Sequence, residues 1–253
     1  MRPWATLLAA GLLGAAAPNE SADRIVRMAT PPPLRRNVAA MPLIAQPSSD
    51  AERRINAALR KLDARVLHAA AACKDAAGHA GLWVRSAETT MAGPLFLSFV
   101  ITDSIDCGGA HPDSAVMSIV YDLRTGQPVD WTALLPPAMT GDVALEQGED
   151  GSKMVTLSSR RLWGLYWMAY QAAHVGDDSC LAAIKEIGVP ASGGPPPGMM
   201  VWLSAKSGGL GLTFNVPHAV LACADEMVVP TATLHHEGAK LALVEALEAA
   251  HAQ

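Results

Sequence analysis

Apolar positions along this chain change period several times, and each change marks an element. Ile55, Leu59, Leu62, Val66, Ala69 and Cys73 recur at steps of four and three, which lines one face of a helix starting after Ser49. Ser49 and Glu52 form a capping box, each side chain placed to meet an amide that the helix start leaves without a partner. Arg53, Arg54, Arg60, Lys61 and Asp63 fall mostly on the other side and read as a solvated face. From residue 81 to 129 the period becomes two and β-favouring residues dominate, predicting strands at 82–90, 95–105 and 115–122 and a short fourth around 128–131. Gly93–Pro94 turns the first strand into the second. Arg124-Thr125-Gly126 turns the third, with Gly126 free to take a positive φ. This is an antiparallel meander.

Beyond the meander, residues 152–175 read as a helix carried by Met154, Leu157, Leu162, Leu165 and Met168. Trp163, Tyr166, Trp167 and Tyr170 add bulk that reads as core packing rather than as a ligand platform. Asp177, Asp178 and Ser179 offer N-caps to a short helix ending near Ile187. A Pro/Gly-rich loop at 189–198 leads to a hairpin, 200–205 and 210–216, around Lys206-Ser207-Gly208-Gly209. A strand at 227–229 and a closing helix at 234–250 complete the pattern. The fold expected is α+β: an antiparallel β-sheet, made of the meander plus a C-terminal hairpin, packed against several α-helices in one domain over 50–253. Residues 18–49 are rich in Pro, Ala and Arg and read as a tether or an extended segment, with 41–45 able to form a short strand along a sheet edge.

Composition changes the picture mainly by compartment. Arg2 followed by the apolar run from Trp4 to Ala17 has the layout of a signal peptide over 1–17, and small residues around Ser21 offer a second cleavage place near 22. The alternative is an uncut N-terminal anchor. No later segment has the roughly 18 uninterrupted apolar residues of a membrane helix; 162–175 is broken by Gln171 and His174. A periplasmic or secreted chain with no membrane span after the leader is expected. A net charge of −5, with no basic stripe, argues against nucleic acid. The four cysteines, Cys73, Cys107, Cys180 and Cys223, are an even number without any C-x-x-C spacing, so disulfides are expected rather than a metal site. Three pairings are open; Cys73 with Cys107 and Cys180 with Cys223 is preferred, because each closes a local unit, stabilising by roughly 4 kcal/mol on chain-entropy grounds.

Candidate chemistry gathers at the connection between the second and third strands. Cys107-Gly108-Gly109-Ala110-His111-Pro112 puts two adjacent glycines before a histidine and a proline, and Asp113 follows. Gly108, Gly109, His111 and Asp113 are the ligand-binding candidates; the same string also fits a structural turn. No catalytic motif such as G-x-S-x-G or H-E-x-x-H occurs. His235, His236 and Glu237 would join His111 and Asp113 at a metal only if the fold brought them together, so no metal and no cofactor is expected.

The string Asp106-Cys107-Gly108-Gly109-Ala110-His111-Pro112, the strand from Ile119 to Asp122, Thr125-Gly126 and the apolar stretch from Trp131 to Leu135 together resemble the extracytoplasmic RsiV-like module. That module is shared by lysozyme-sensing anti-sigma factors and by peptidoglycan deacetylases of the PdaC type. The likeness continues through Leu210 to Val216 and Met227 to Pro230 and covers roughly 50–234. Cys107 stands where an aromatic or polar residue is more usual, and His218 where a tyrosine is expected. Neither an anti-sigma segment nor a deacetylase domain is expected here, so the resemblance implies recognition. It points to a non-enzymatic binding or sensing module for a peptidoglycan fragment or a wall-acting protein such as lysozyme. The rival readings are a small envelope hydrolase or deacetylase using His111 with Asp113, and a structural envelope protein.

Overall fold

The computed structural model describes residues 24–74, 78–109, 112–189 and 193–253. The expected leader at 1–17 lies outside them. The described chain starts with an extended stretch in which β1 (Met28–Ala29) pairs antiparallel with β2 (Leu43–Ile44). Of the two readings of 18–49, the described part is thus the extended segment, and it is packed: Val26, Val38, Met41 and Ile44 are buried. The short strand expected at 41–45 exists but pairs with β1 instead of a sheet edge.

α1 (Asp50–Ala72) explains that packing. Ser49 Oγ accepts from the Glu52 amide at 3.1 Å as the capping box requires, whereas Glu52 reaches back one residue further, to the Ser48 amide at 2.6 Å. Arg24 pairs with the same carboxylate. Ile55, Leu59, Leu62 and Val66 form the buried apolar face. Asn56 exchanges two hydrogen bonds with the Ile44 backbone, both 2.9 Å, standing in for a neighbouring strand, and Asp63 accepts from the Met41 amide at 2.9 Å. Asp63 is therefore not on a solvated face; the N-terminal segment covers it and leaves it 9% exposed. Burial raises its carboxyl above the ordinary range, against the pull of the Met41 amide and of Arg85.

The meander is present as read. β3 (Leu82–Ala92), β4 (Phe96–Asp106), β5 (Asp113–Asp122) and β6 (Gln127–Pro128) follow one another in an antiparallel four-stranded sheet. Alternation divides its faces: Leu97, Phe99, Ile101, Met117 and Tyr121 pack with α1, while Phe96, Val100 and Val120 pack into the second core. A bulge between Thr89 and Met91 switches the phase of β3, so that Met91 joins the second core. Gly126 has φ 69°, and a Cβ there would sit 2.4 Å from the Ala51 carbonyl, so the turn seats closely on the start of α1. The fourth strand is shorter than read, because Asp130 caps α2 (Trp131–Leu134) through the Thr132 amide and draws Trp131 into a helix. α3 (Pro137–Thr140) follows.

The helix expected over 152–175 is two elements. β7 (Asp142–Gln147) and β8 (Lys153–Ser158) form a hairpin, and α4 (Arg160–Ala173) starts only after Ser159, whose Oγ accepts from the Leu162 amide at 2.9 Å. Ser152, Met154 and Thr156 are buried with exposed Lys153 and half-buried Val155 between them, an alternation masked by the helical spacing of Met154 and Leu157. α5 (Asp178–Gly188) is capped by Asp177 as read. β9 (Met200–Ser204), β10 (Gly209–Thr213) and β11 (Met227–Pro230) make a three-stranded antiparallel sheet. The closing helix is broken into α6 (Thr231–His236) and α7 (Leu241–His251) around Gly238, at φ 87°. Every residue of β9 and β10 is buried, because this sheet lies between the meander and the helices α4, α6 and α7. The result is the α+β fold expected, with helices covering both outer faces of two stacked antiparallel sheets.

One buried charge cluster ties the hairpin to the meander. Arg85, fully buried on β3, lies 3.3 Å from Asp103 on β4 and 3.2 Å from Asp150 in the β7–β8 turn. Trp83 Nε1 donates to Asp103 at 2.8 Å, and Ser152 donates to Asp150 from both its amide and its hydroxyl. Burial raises the Asp103 carboxyl, with Arg85 and the Trp83 indole opposing. Arg85 Nη1 has no hydrogen-bond partner among the described residues.

Candidate functional site

The two disulfides are Cys73–Cys107 and Cys180–Cys223, the preferred pairing. The first fastens the loop after β4 to the end of α1. Gly108 there has φ 79° and Gly109 is exposed. Asp113 is exposed at the start of β5, where its carboxylate accepts from the Ser114 amide at 2.8 Å. His111 lies outside the described residues. No group of metal-ligating side chains occurs among the described residues, and Glu237 is engaged by Arg161 instead. The second disulfide holds a short 3-10 segment (His218–Cys223); Tyr170 donates to the carbonyl of its last residue, Cys223, and Tyr166 to the Asp225 carbonyl just beyond it. Trp163, Tyr166 and Tyr170 are buried in the core, as the aromatic cluster was read.

A different cleft carries the polar chemistry. Where β9 crosses the meander near the edge strand β3, the two sheets part and leave a cavity of about 330 Å³. Its lining is mostly hydroxyls and charges: Ser86, Thr89, Thr90, Thr102, Ser204 and Ser207, with Glu88, Glu226 and Lys206. Ser86 and Thr102 are cross-strand partners, so alternation places both on the face toward β9. The bulge brings Thr90 close enough for its hydroxyl to donate to Ser98 Oγ at 2.9 Å.

Trp202 forms one wall. Its partner across the ladder is Gly211, and a Cβ at Gly211 would lie 2.1 Å from the indole, so only glycine lets the ring lie flat there. The residue as a whole is 3% exposed. The Thr89 hydroxyl is buried with no hydrogen-bond partner among the described residues. Buried hydroxyls are nearly always paired, so this unmet group at the cleft marks a place where a polar ligand or water completes the set. Partial burial, together with Glu88 and Asp225 nearby, raises the Glu226 carboxyl above its usual range. Sequence reading missed this cleft because its residues come from four separated stretches.

The Gly108–Gly109 turn leaves β4 four residues beyond Thr102, roughly 13 Å along the strand, so it stands apart from the cleft lining. No protein-family profile matches this chain. No curated protein matches it. Among solved structures, a DUF3298 family protein from Pseudomonas aeruginosa is similar at 14% identity and TM-score 0.49, over 80% of this chain and 84% of that one. A member of the DUF3298 family from Bacteroides fragilis is similar at 14% identity and TM-score 0.47, over 81% of this chain and 75% of that one.

Proposed function

We propose that this protein is an exported, non-catalytic binding module of the cell envelope that takes a peptidoglycan fragment in the cleft between β3 and β9. The observation that carries the reading is the lining itself: short hydroxyls, one of them, on Thr89, buried without a partner among the described residues, with two carboxylates, a lysine and an indole. Sugar hydroxyls and acetamido groups exchange hydrogen bonds with such groups, and an aromatic face suits a sugar ring. Two disulfides fit an oxidising compartment, and the resemblance to the RsiV-like module supports recognition at the wall. Lysozyme is the protein partner that the same resemblance suggests.

Calorimetric titration of the secreted chain with soluble muropeptides, and separately with lysozyme, tests this. Saturable muropeptide binding is expected, weakened about tenfold or more by Thr102→Val combined with Glu88→Gln. Heat with lysozyme alone would move the reading to a protein partner. Silence with both would overturn it.

A hydrolytic reading draws on one arrangement, two carboxylates, Glu88 and Glu226, lining the same cleft with the Glu226 carboxyl raised by burial and by its acidic neighbours. Turnover of muropeptides that disappears in Glu226→Gln would replace binding by catalysis.

A further inference from the structure

The β5 edge of the meander borders a second cavity of different chemistry. α1, β5, β6 and the β7–β8 hairpin enclose a groove of about 300 Å³. Leu62, Ile119, Tyr121, Val155 and Leu145 give it an apolar lining. Leu145 is 67% exposed, unusual for a large apolar side chain on a strand that is exposed at all six positions. Burial pushes the Tyr121 phenol up to about 12, so the wall carries no phenolate near neutral pH.

The charged residues lining the groove are all cations. Lys61 and Arg65 stand one turn apart on α1, and Lys153 faces them from β8. None of the three makes an ion pair or side-chain hydrogen bond with any described residue, although the chain as a whole has a net charge of −5. The acids that approach are Glu149 and Asp150, which line a shallower depression that shares Lys61 and Arg65, and Asp150 is held by Arg85. An apolar trough edged by unpaired cations is complementary to a molecule with an apolar tail and an anionic head.

We propose that this groove binds a single-chain amphiphile with an acidic headgroup, its acyl tail against Leu62, Ile119 and Leu145 and its head between Lys61, Arg65 and Lys153. The ligand is taken as a monomer from solution, because the groove has walls on both sides. The site is separate from the polar cleft and does not depend on the peptidoglycan reading.

Decyl phosphate, with decanol and decyltrimethylammonium as neutral and cationic counterparts, provides the test by calorimetry on the secreted chain. Saturable one-to-one binding of decyl phosphate is expected, at least tenfold tighter than decanol, with no binding of the cationic analogue. Lys61→Gln with Lys153→Gln lies on exposed positions and leaves the melting temperature unchanged, but lowers decyl phosphate affinity at least tenfold while decanol is unaffected. Leu145→Asp lowers both. Equal affinity for the three head groups, unsaturable uptake, or binding only to phosphatidylglycerol vesicles and not to the monomer would overturn the proposal. Loss of muropeptide binding with decyl phosphate binding intact would count against the cleft alone.

Discussion

The polar cleft and the apolar groove lie against the same four-stranded sheet, one toward its β3 edge and one toward β5 and β6, and they differ in nearly every respect that matters for a ligand. The cleft is lined by hydroxyls, with Glu88 and Glu226 as its acids; the groove is lined by side chains of α1, β5 and the hairpin, with Lys61, Arg65 and Lys153 as its charges. The strand order makes the separation possible, because the cleft draws its meander residues from β3 and β4 and the groove draws its own from β5 and β6. A mildly acidic chain thereby presents a cationic site on one side and an anionic one on the other, each with its own local field. Net charge alone hides both.

The comparison breaks most severely at the element that belongs to one side only. Arg85→Ala leaves Asp103 and Asp150 buried without their cation, and a loss of about 3–5 kcal/mol is expected in denaturant unfolding. Because Asp150 sits in the β7–β8 turn, the hairpin wall of the groove loosens, and decyl phosphate binding falls further than muropeptide binding. Gly211→Ala acts on the opposite side. The added Cβ displaces the Trp202 indole, costs about 1–3 kcal/mol, and weakens muropeptide binding while the groove keeps its ligand.

The smallest effect is on pH dependence. The Asp63 carboxyl is raised in the folded state from 3.8, chiefly by burial, so its contribution to stability is fully present below the unfolded value and is lost as pH rises through the folded value. Asp63→Asn keeps an oxygen for the Met41 amide but cannot ionise. Its unfolding midpoint should therefore fall less steeply than the parent's as pH is raised from about 4 toward 7. An unchanged slope would show that the carboxyl is not desolvated by the N-terminal segment.

The meander, the C-terminal sheet, the caps at Ser49 and Asp177 and the two disulfides were legible because each rests on local chemistry: alternation, a hydroxyl or carboxylate at a helix start, and cysteines closing short units. The β7–β8 hairpin was not. All six residues of β7 are exposed, so no buried face alternates there, and Met154 and Leu157 fall at a spacing that suits a helix as well as a strand. Asp63 was misplaced because a carboxylate on a helix reads as solvated until another segment is known to cover it. The cleft was invisible for a related reason. Ser and Thr on strands look like an ordinary solvated face, and only the stacking of β9 on the meander turns them into a lining. The Gly108–Gly109 string stood out because two glycines are locally unusual, and one of them does take the positive φ that glycine permits.

The extended segment before α1 has a consequence for assembly. β3 runs for eleven residues at the border of the sheet, long enough to recruit a strand from another molecule. The Arg85 amide donates to the Asn37 carbonyl at 2.8 Å and the Ala39 amide to the Arg85 carbonyl at 3.1 Å, so part of that border is already occupied from within the chain. The occupying residues precede β3 in the sequence and therefore emerge first during synthesis. Each molecule thus carries its own plug against runaway polymerisation, delivered before the border that needs it exists.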